Sequence, residues 1–360
     1  MIRQLHRLLR PVPALGPGVL ALAVYAHPHD GHFEARAAAE QGYEGVACLD
    51  DAARAAVLYS EIWRRRQGVG WWARESAEGL LRFTCAMQTE DGAFVNFIAD
   101  WNGRRQVHTP TSRPGGGAWQ ARGMHALACG TATFGDGGYA EAFESGLAAL
   151  DRPTPYLDVR AVCVLAALKY WQTTRAHHVA ARALVWADEI YKGRIGDVLP
   201  DRAGSAEVHL WGHLQEAALA RVGAEFGRDD LVQAAARSAG AVLAPAAQHA
   251  FAGRRAVPFD VSSTVLGLDA VAAATGDAHY VALAGLARAW FDGRNAASKP
   301  VYDRERGLVL DGIDGDRVSQ NSGAEANIEG GLALLDSLPW ATYARESGAL
   351  TPASALELRH

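Results

Sequence analysis

The sequence predicts an all-α protein, an (α/α)6 toroid of six helical hairpins. Three observations carry this. Apolar residues recur at helical spacing from about residue 49 onward, in block after block broken by Gly, Pro and Asp. Almost no stretch alternates with the two-residue period of a strand, and β-branched clusters are few. The links between blocks alternate between short and long, as they do when antiparallel helix pairs are joined by extended loops at one end.

The helical blocks fall near residues 50–66, 72–88, 118–133, 138–150, 157–174, 177–192, 206–225, 229–244, 262–275, 277–291, 323–336 and 339–347. Short links such as Gly68-Val69-Gly70, Arg175-Ala176-His177 and Gly276-Asp277 join the members of a pair. Long links over 89–117, 193–205, 245–261 and 292–322 join one pair to the next, and long links inside a compact domain tend to carry function. An inner helix touches both the axis and the outer ring, so it should be apolar nearly all round. Residues 157–174 and 323–336 read that way, whereas 177–192 is amphipathic and reads as outer.

The 360 residues are 49% hydrophobic and 21% charged, and no linker-like stretch interrupts them, so one large domain is expected. Its limits are 27–348, with 1–26 an N-terminal extension outside the barrel, open to being flexible, and 349–360 a tail. A net charge of −5 with no basic stripe excludes nucleic acid as a partner. No run reaches the ~20 apolar residues of a membrane span. Cys48, Cys85, Cys129 and Cys163 form no CxxC pair and read as reduced core thiols, which predicts a cytoplasmic protein. Arg3, Arg7 and Arg10 ahead of the apolar run Gly18 to Ala26, ending Val24-Tyr25-Ala26, look signal-like, but the run is short and Pro11, Pro13 and Pro17 lie just before it, which leaves export as the lesser alternative.

If the pairing is right, the long loops and the starts of the inner helices share one end of the barrel. Those starts carry Asp50, Asp51, Trp119, Arg122, Asp158, Glu207, His209, Asp260, Asn321 and Glu325, with Trp211 one turn further on. Loop 89–117 adds Asp91, Asn96, Asp100 and Trp101, and loop 292–322 adds Asp303, Asp311 and Asp314. Flat aromatic rings suit the apolar faces of sugar rings, and carboxylates and amides suit hydroxyls, so a carbohydrate is the expected ligand. Bland readings stand beside this. Asp50 or Asp51 could be a helix cap paired with Arg54. Ser322-Gly323-Ala324-Glu325 matches a capping box, which would make Glu325 structural. Glu325 and Glu329 share a helix face, where like charges repel unless one meets a cation or a wet cavity. The cluster His27-Pro28-His29-Asp30-Gly31-His32 lacks matching carboxylates, so neither a metal nor a cofactor is expected.

Glycosyl hydrolysis needs one protonated and one ionised carboxyl group. A helix N-terminus favours the charged form, which assigns Asp51 as base and leaves Asp100, beside Trp101, or Glu207, near Trp211, as the acid. The remaining residues at this end, Asp50, Asp91, Asn96, Trp101, Trp119, Arg122, His209, Trp211, Asp260, Asn321 and Glu325, are expected to bind substrate. A lyase would draw instead on Arg113, Arg122, His125 and His209.

Several stretches resemble a family of six-hairpin, glycosidase-like proteins found near or fused to bacterial glycosyltransferases. They are Gly42-Tyr43 through Cys48-Leu49-Asp50-Asp51-Ala52-Ala53-Arg54, then Gln88 through Phe97 with Asp100 and Trp101, then Ala121-Arg122-Gly123-Met124-His125. A closing block, Tyr302-Asp303, Asp311-Gly312-Ile313 and Asn321-Ser322-Gly323-Ala324-Glu325, is similar to the last segment of several sugar-active toroids. The resemblance implies a glycoside hydrolase acting on an oligo- or polysaccharide, with a glycosyltransferase as partner. Gly117, Ala118 and Gln120 stand where that family carries an acidic pair and a histidine, which keeps a non-catalytic glycan-binding role open. Gln88-Thr89-Glu90-Asp91-Gly92-Ala93-Phe94 also resembles the repeat of isoprenoid cyclases, but only one copy exists and their acid motif is missing.

Overall fold

The computed structural model describes residues 1–30, 32–36, 45–66, 70–135, 137–253 and 255–336. The chain opens with a short helix, α1 (Ile2–Leu8), followed by hairpins of paired helices. These are α2 (Leu49–Arg66) with α3 (Trp71–Ala86), α4 (Gly117–Phe134) with α5 (Tyr139–Leu150), and α6 (Leu157–Thr174) with α7 (His177–Lys192). Then come α8 (Gln215–Phe226) with α9 (Asp229–Ser238), which runs through a π turn into α10 (Ala244–Gln248), and α11 (Pro258–Thr275) with α12 (Ala278–Arg288). The last described helix is α13 (Ala324–Leu334).

The inner ring closes. Each of α2, α4, α6, α8, α11 and α13 packs on the next, and α13 returns to α2. Inner helices are apolar on most of their circumference, so they bury both faces: α6 hides Ala161, Val164, Ala167 and Leu168, and α11 hides Val261, Val265, Leu268 and Val271. Outer helices bury one stripe only, as in α9 with Leu231, Val232, Ala234 and Ala235. Hairpin turns end helices in the left-handed region, where glycine is preferred, as at Gly276 with φ 73°.

Among the described residues, five two-stranded ribbons dress the ring: β1 (Leu9–Pro11) with β2 (Leu20–Leu22), β3 (Tyr25–His29) with β4 (His32–Arg36), β5 (Ala47–Cys48) with β6 (Phe97–Ile98), β7 (Tyr302–Asp303) with β8 (Leu308–Val309), and β9 (Ile313–Asp314) with β10 (Arg317–Val318). The histidine cluster lies on the β3–β4 hairpin. Among the described residues, no helix is long and apolar enough to cross a membrane.

Three sequence expectations change. First, residues 1–26 are built into the fold. Ile2, Leu5 and Leu8 are buried, α1 packs on α13, and the His6 ring stacks on Tyr59 at 5.9 Å. The apolar spacing of Ile2, Leu5 and Leu8 gives α1 the face that it buries. Second, residues 206–214 are a loop and α8 starts at Gln215. Asp201 fixes that loop by accepting the His209 amide at 2.6 Å, the His213 ring at 2.7 Å and the Gln215 amide at 3.0 Å. Third, α11 starts four residues earlier than expected, at Pro258, because proline suits the first turn and the Asp260 carboxylate accepts the Val257 amide, which the helix leaves unpaired, at 2.9 Å. The helix expected over 339–347, the tail over 349–360 and the Gly42-Tyr43 motif lie outside the described residues.

Candidate active site

The β5–β6 ribbon delivers the chain into α2 with Asp50 and Asp51 in the first turn. Asn96, just before β6, secures that turn from outside: its Oδ1 accepts the Asp50 amide at 3.1 Å and its backbone carbonyl accepts the Leu49 amide at 2.7 Å. Asparagine 96 therefore does the work of an N-cap, although it is distant in sequence.

One turn later Arg54 collects four carboxylates. Its Nη2 donates to Asp50 at 3.1 Å, Asp51 at 2.7 Å and Glu325 at 3.2 Å, and its Nη1 donates to Glu329 at 2.5 Å. Glu329 also accepts from the Ser262 hydroxyl, and Arg122 donates to Asp50. Arg54 and Arg122 lie over the Phe259 ring at 4.6 and 5.3 Å, and Trp211 meets that ring edge-on at 5.1 Å. The expected capping box at α13 does not form. Ser322 instead donates to the Val309 carbonyl at 2.7 Å and accepts from Asn327 at 2.9 Å, which leaves Glu325 to Arg54.

Above this layer, at the N-terminal end of the inner ring, opens a cavity of about 520 Å³. Asp50, Asp51, Asn96, Trp119, Arg122, Trp211 and Glu325 line it, so seven of the expected site residues converge there. Tyr25, Arg255 and Asp311 complete the wall. Trp119 is held by its indole N–H on the Phe94 carbonyl at 3.0 Å.

The other expected residues do not line this cavity. Asp100 sits on an exposed turn paired with Arg104 at 3.1 Å, and hydrogen bonds from Arg104 and from backbone amides keep its carboxyl low, the opposite of what a proton donor needs. Glu207 is exposed on the loop that replaces the expected helix, its amide bonded to the Ser205 hydroxyl at 3.2 Å. His209 shares that loop and is half exposed. Asp91 is exposed and accepts from Thr89 at 2.5 Å, Trp101 packs against the core rim, and Asp260 turns back to the start of α11, where its carboxylate accepts the Val257 amide at 2.9 Å. Asn321 serves through its backbone carbonyl, which accepts the Asp311 amide at 2.9 Å. The lyase set is not assembled either, because His125 lines a separate cavity below Arg54.

Electrostatics split the two neighbouring acids. Burial opposes ionisation of Asp50, but Arg122 and Arg54 outweigh it and hold the carboxyl below its ordinary value. For Asp51 burial wins over Arg54, reinforced by the charges of Glu325 and Asp50, and the carboxyl is pushed up to about 7. The helix N-terminus had pointed to an ionised Asp51; desolvation is the larger effect. Burial likewise pushes Asp311 up to about 6, against the pull of the Gly323 amide that it accepts at 2.7 Å. Asp50 keeps one buried oxygen, Oδ1, with no hydrogen-bond partner among the described residues.

Neither a family model nor a curated protein matches the chain. Solved structures do. A D-mannose isomerase aligns at TM-score 0.66 and 10% identity, covering 94% of this chain and 96% of its own. The chain shares the (α/α)6 toroid fold. A sugar epimerase from a ruminal bacterium aligns at TM-score 0.65 and 10% identity, over 93% of this chain and 95% of that one. A family 76 glycoside hydrolase from a bovine Bacteroides thetaiotaomicron strain aligns at TM-score 0.63 and 10% identity, over 93% and 75%. At such identities the six-hairpin likeness speaks for the fold alone.

Proposed function

We propose that the protein is a carbohydrate-active enzyme, a glycoside hydrolase that uses Asp51 as proton donor and Asp50 as its ionised partner. The observation that carries this is the divergence of two adjacent carboxyl groups in one aromatic-walled cavity: burial pushes Asp51 up to about 7, so that it keeps a share of its proton at neutrality, and Arg122 and Arg54 hold Asp50 charged against its own burial. Environments that push two acids apart in this way mark the acid and base roles of hydrolysis. Asp51 would protonate the glycosidic oxygen. Asp50, with a free oxygen, would orient water or stabilise the positive charge that develops on the sugar ring. Trp119, Trp211 and Tyr25 offer flat faces for sugar rings, and Asn96, Glu325 and Arg255 offer hydroxyl partners. An oligo- or polysaccharide is the substrate class, and a glycosyltransferase acting on the same glycan is the partner the sequence resemblance implies.

The test is a screen of oligosaccharides and aryl glycosides for released reducing ends, run beside Asp51→Asn and Asp50→Asn. Hydrolysis that both substitutions cut by about 100-fold or more supports the assignment. Saturable glycan binding without cleavage favours the binding role, and a changed sugar configuration without cleavage favours epimerisation.

A further inference from the structure

Beneath the Arg54–Phe259 layer the axis of the toroid is not filled. A second cavity of about 400 Å³ lies there, lined by residues of all six inner helices, among them Val57, His125, Leu165, Arg221, Ser263 and Leu332. It adjoins a further space of about 370 Å³ between α4, α6 and α8. Lys169 and Arg221 line both spaces, so they stand where the two meet. Of the mouth-cavity residues only Arg122 reaches this lumen.

The charges of the lumen are unevenly matched. Glu61 is engaged by Arg64 at 2.7 Å and by Arg65 at 3.7 Å, Asp269 by Arg288, and Asp336 by Arg65. Lys169 and Arg221 face Glu61, and Arg221 also Asp269, but neither makes a hydrogen bond or close ion pair among the described residues, and Arg221 is exposed where the lumen opens. Cations near helix C-termini commonly answer the helix dipole, but that effect is confined to the last turn. Neither residue lies in the last turn of α6 or α8. A second feature points the same way: Ser263, 0% exposed, lines the lumen with a hydroxyl that has no partner among the described residues. The walls between are apolar, with Val57, Val162, Leu165 and Leu332. The volume falls within the ~300–1,000 Å³ of small-molecule pockets.

We propose that the lumen is a second binding site, separate from the sugar cavity, for an amphiphilic anion. Its apolar body lies along the Val57, Val162 and Leu165 wall, and its phosphate or carboxylate head meets Lys169 and Arg221. The site does not depend on the assignment of Asp50 and Asp51.

The test titrates the full-length protein with decyl phosphate and with decanoate, each below its micelle threshold, by calorimetry. Decanol and inorganic phosphate serve as controls. One saturable site is expected for an amphiphilic anion, and the tighter of the two probes identifies the head group. Lys169→Gln and Arg221→Gln are each expected to weaken it about tenfold, since each removes one charge-assisted contact. Asp51→Asn should leave it unchanged. The proposal is overturned if neither anion saturates, if decanol binds as tightly, or if both charge substitutions leave the affinity intact. Thermal melting of the variants checks their folding, and the decanol comparison on the unaltered chain decides the matter if either variant is unfolded.

Discussion

Replacing Asp51 by Asn should make the protein more stable at alkaline pH, whatever it does to the proposed hydrolysis. Asp51 titrates near 3.8 when exposed and at about 7 in the fold. A raised folded-state value means that the native state favours the protonated carboxyl. Its stabilising contribution is complete below the unfolded pKa and is lost as pH rises through the folded one. About three pH units at ~1.4 kcal/mol each give a loss approaching ~4 kcal/mol above pH 7. Asparagine mimics the protonated form and can still accept from Arg54, so the variant escapes this loss. The expected gain is about 2–4 kcal/mol at pH 8 and nothing at pH 4. With an unfolding entropy of ~2.1 cal/mol/K per residue, that gain raises Tm by about 3–5 °C. Differential scanning calorimetry from pH 4 to 8 reads it directly, because the difference should climb between pH 4 and 7 and then level. A variant destabilised by the same amount at every pH would refute the reasoning and make Asp51 an ordinary ion-pair partner.

Other outcomes follow from the same structure. Arg54→Met strands four carboxylates around an apolar side chain and should cost about 3–5 kcal/mol at pH 8, less at pH 5 where they take up protons; urea midpoints at the two values check it. His213, buried between Asp201 and Glu216, is pushed up to about 10 by those carboxylates against the cost of burial. Its contribution is therefore complete below about pH 6.5 and fades toward pH 10, so the destabilisation of His213→Gln in chemical denaturation should shrink over that range. Gly312 sits at φ 137° and an added Cβ would come 2.4 Å from the Ala256 carbonyl. Gly312→Ala should cost about 1–3 kcal/mol or more in a denaturant titration and disturb the adjoining Asp311. Asp100→Asn and Glu207→Gln should leave any turnover within about twofold, as exposed substitutions do.

Much of the ring was legible because helical periodicity and link length are local signals. The pairs from α2–α3 to α6–α7 lie close to where spacing put them. What could not be read locally were features set by distant partners. Asp201 draws His213 and Gln215 inward and so delays α8, and nothing within 206–225 announces it. Asn96 holds the first turn of α2 from another loop, and Ser322 turns away from Glu325 to a carbonyl on β8. The candidate site divides in the same way. Residues at true helix starts, Asp50, Asp51, Trp119, Arg122 and Glu325, reach the cavity, whereas Glu207 and His209 fail because their helix start was misplaced. Asp311 stood in a loop expected to be polar and gained weight only through its burial, which no spacing rule reveals.

The bridge from Arg54 to Glu329 joins residues 275 positions apart, and Gln4 reaches the Ser322 carbonyl across 318. Segments distant along the chain, α1 and α2 on one side and α13 on the other, thus clasp each other, and the cluster of acids exists only once they do. A ribosome-bound chain lacking α13 would carry Asp50 and Asp51 without the wall that sets their proton affinities. The proton affinities of the cluster therefore arise all at once, when α13 docks, through contacts of a kind that form slowly.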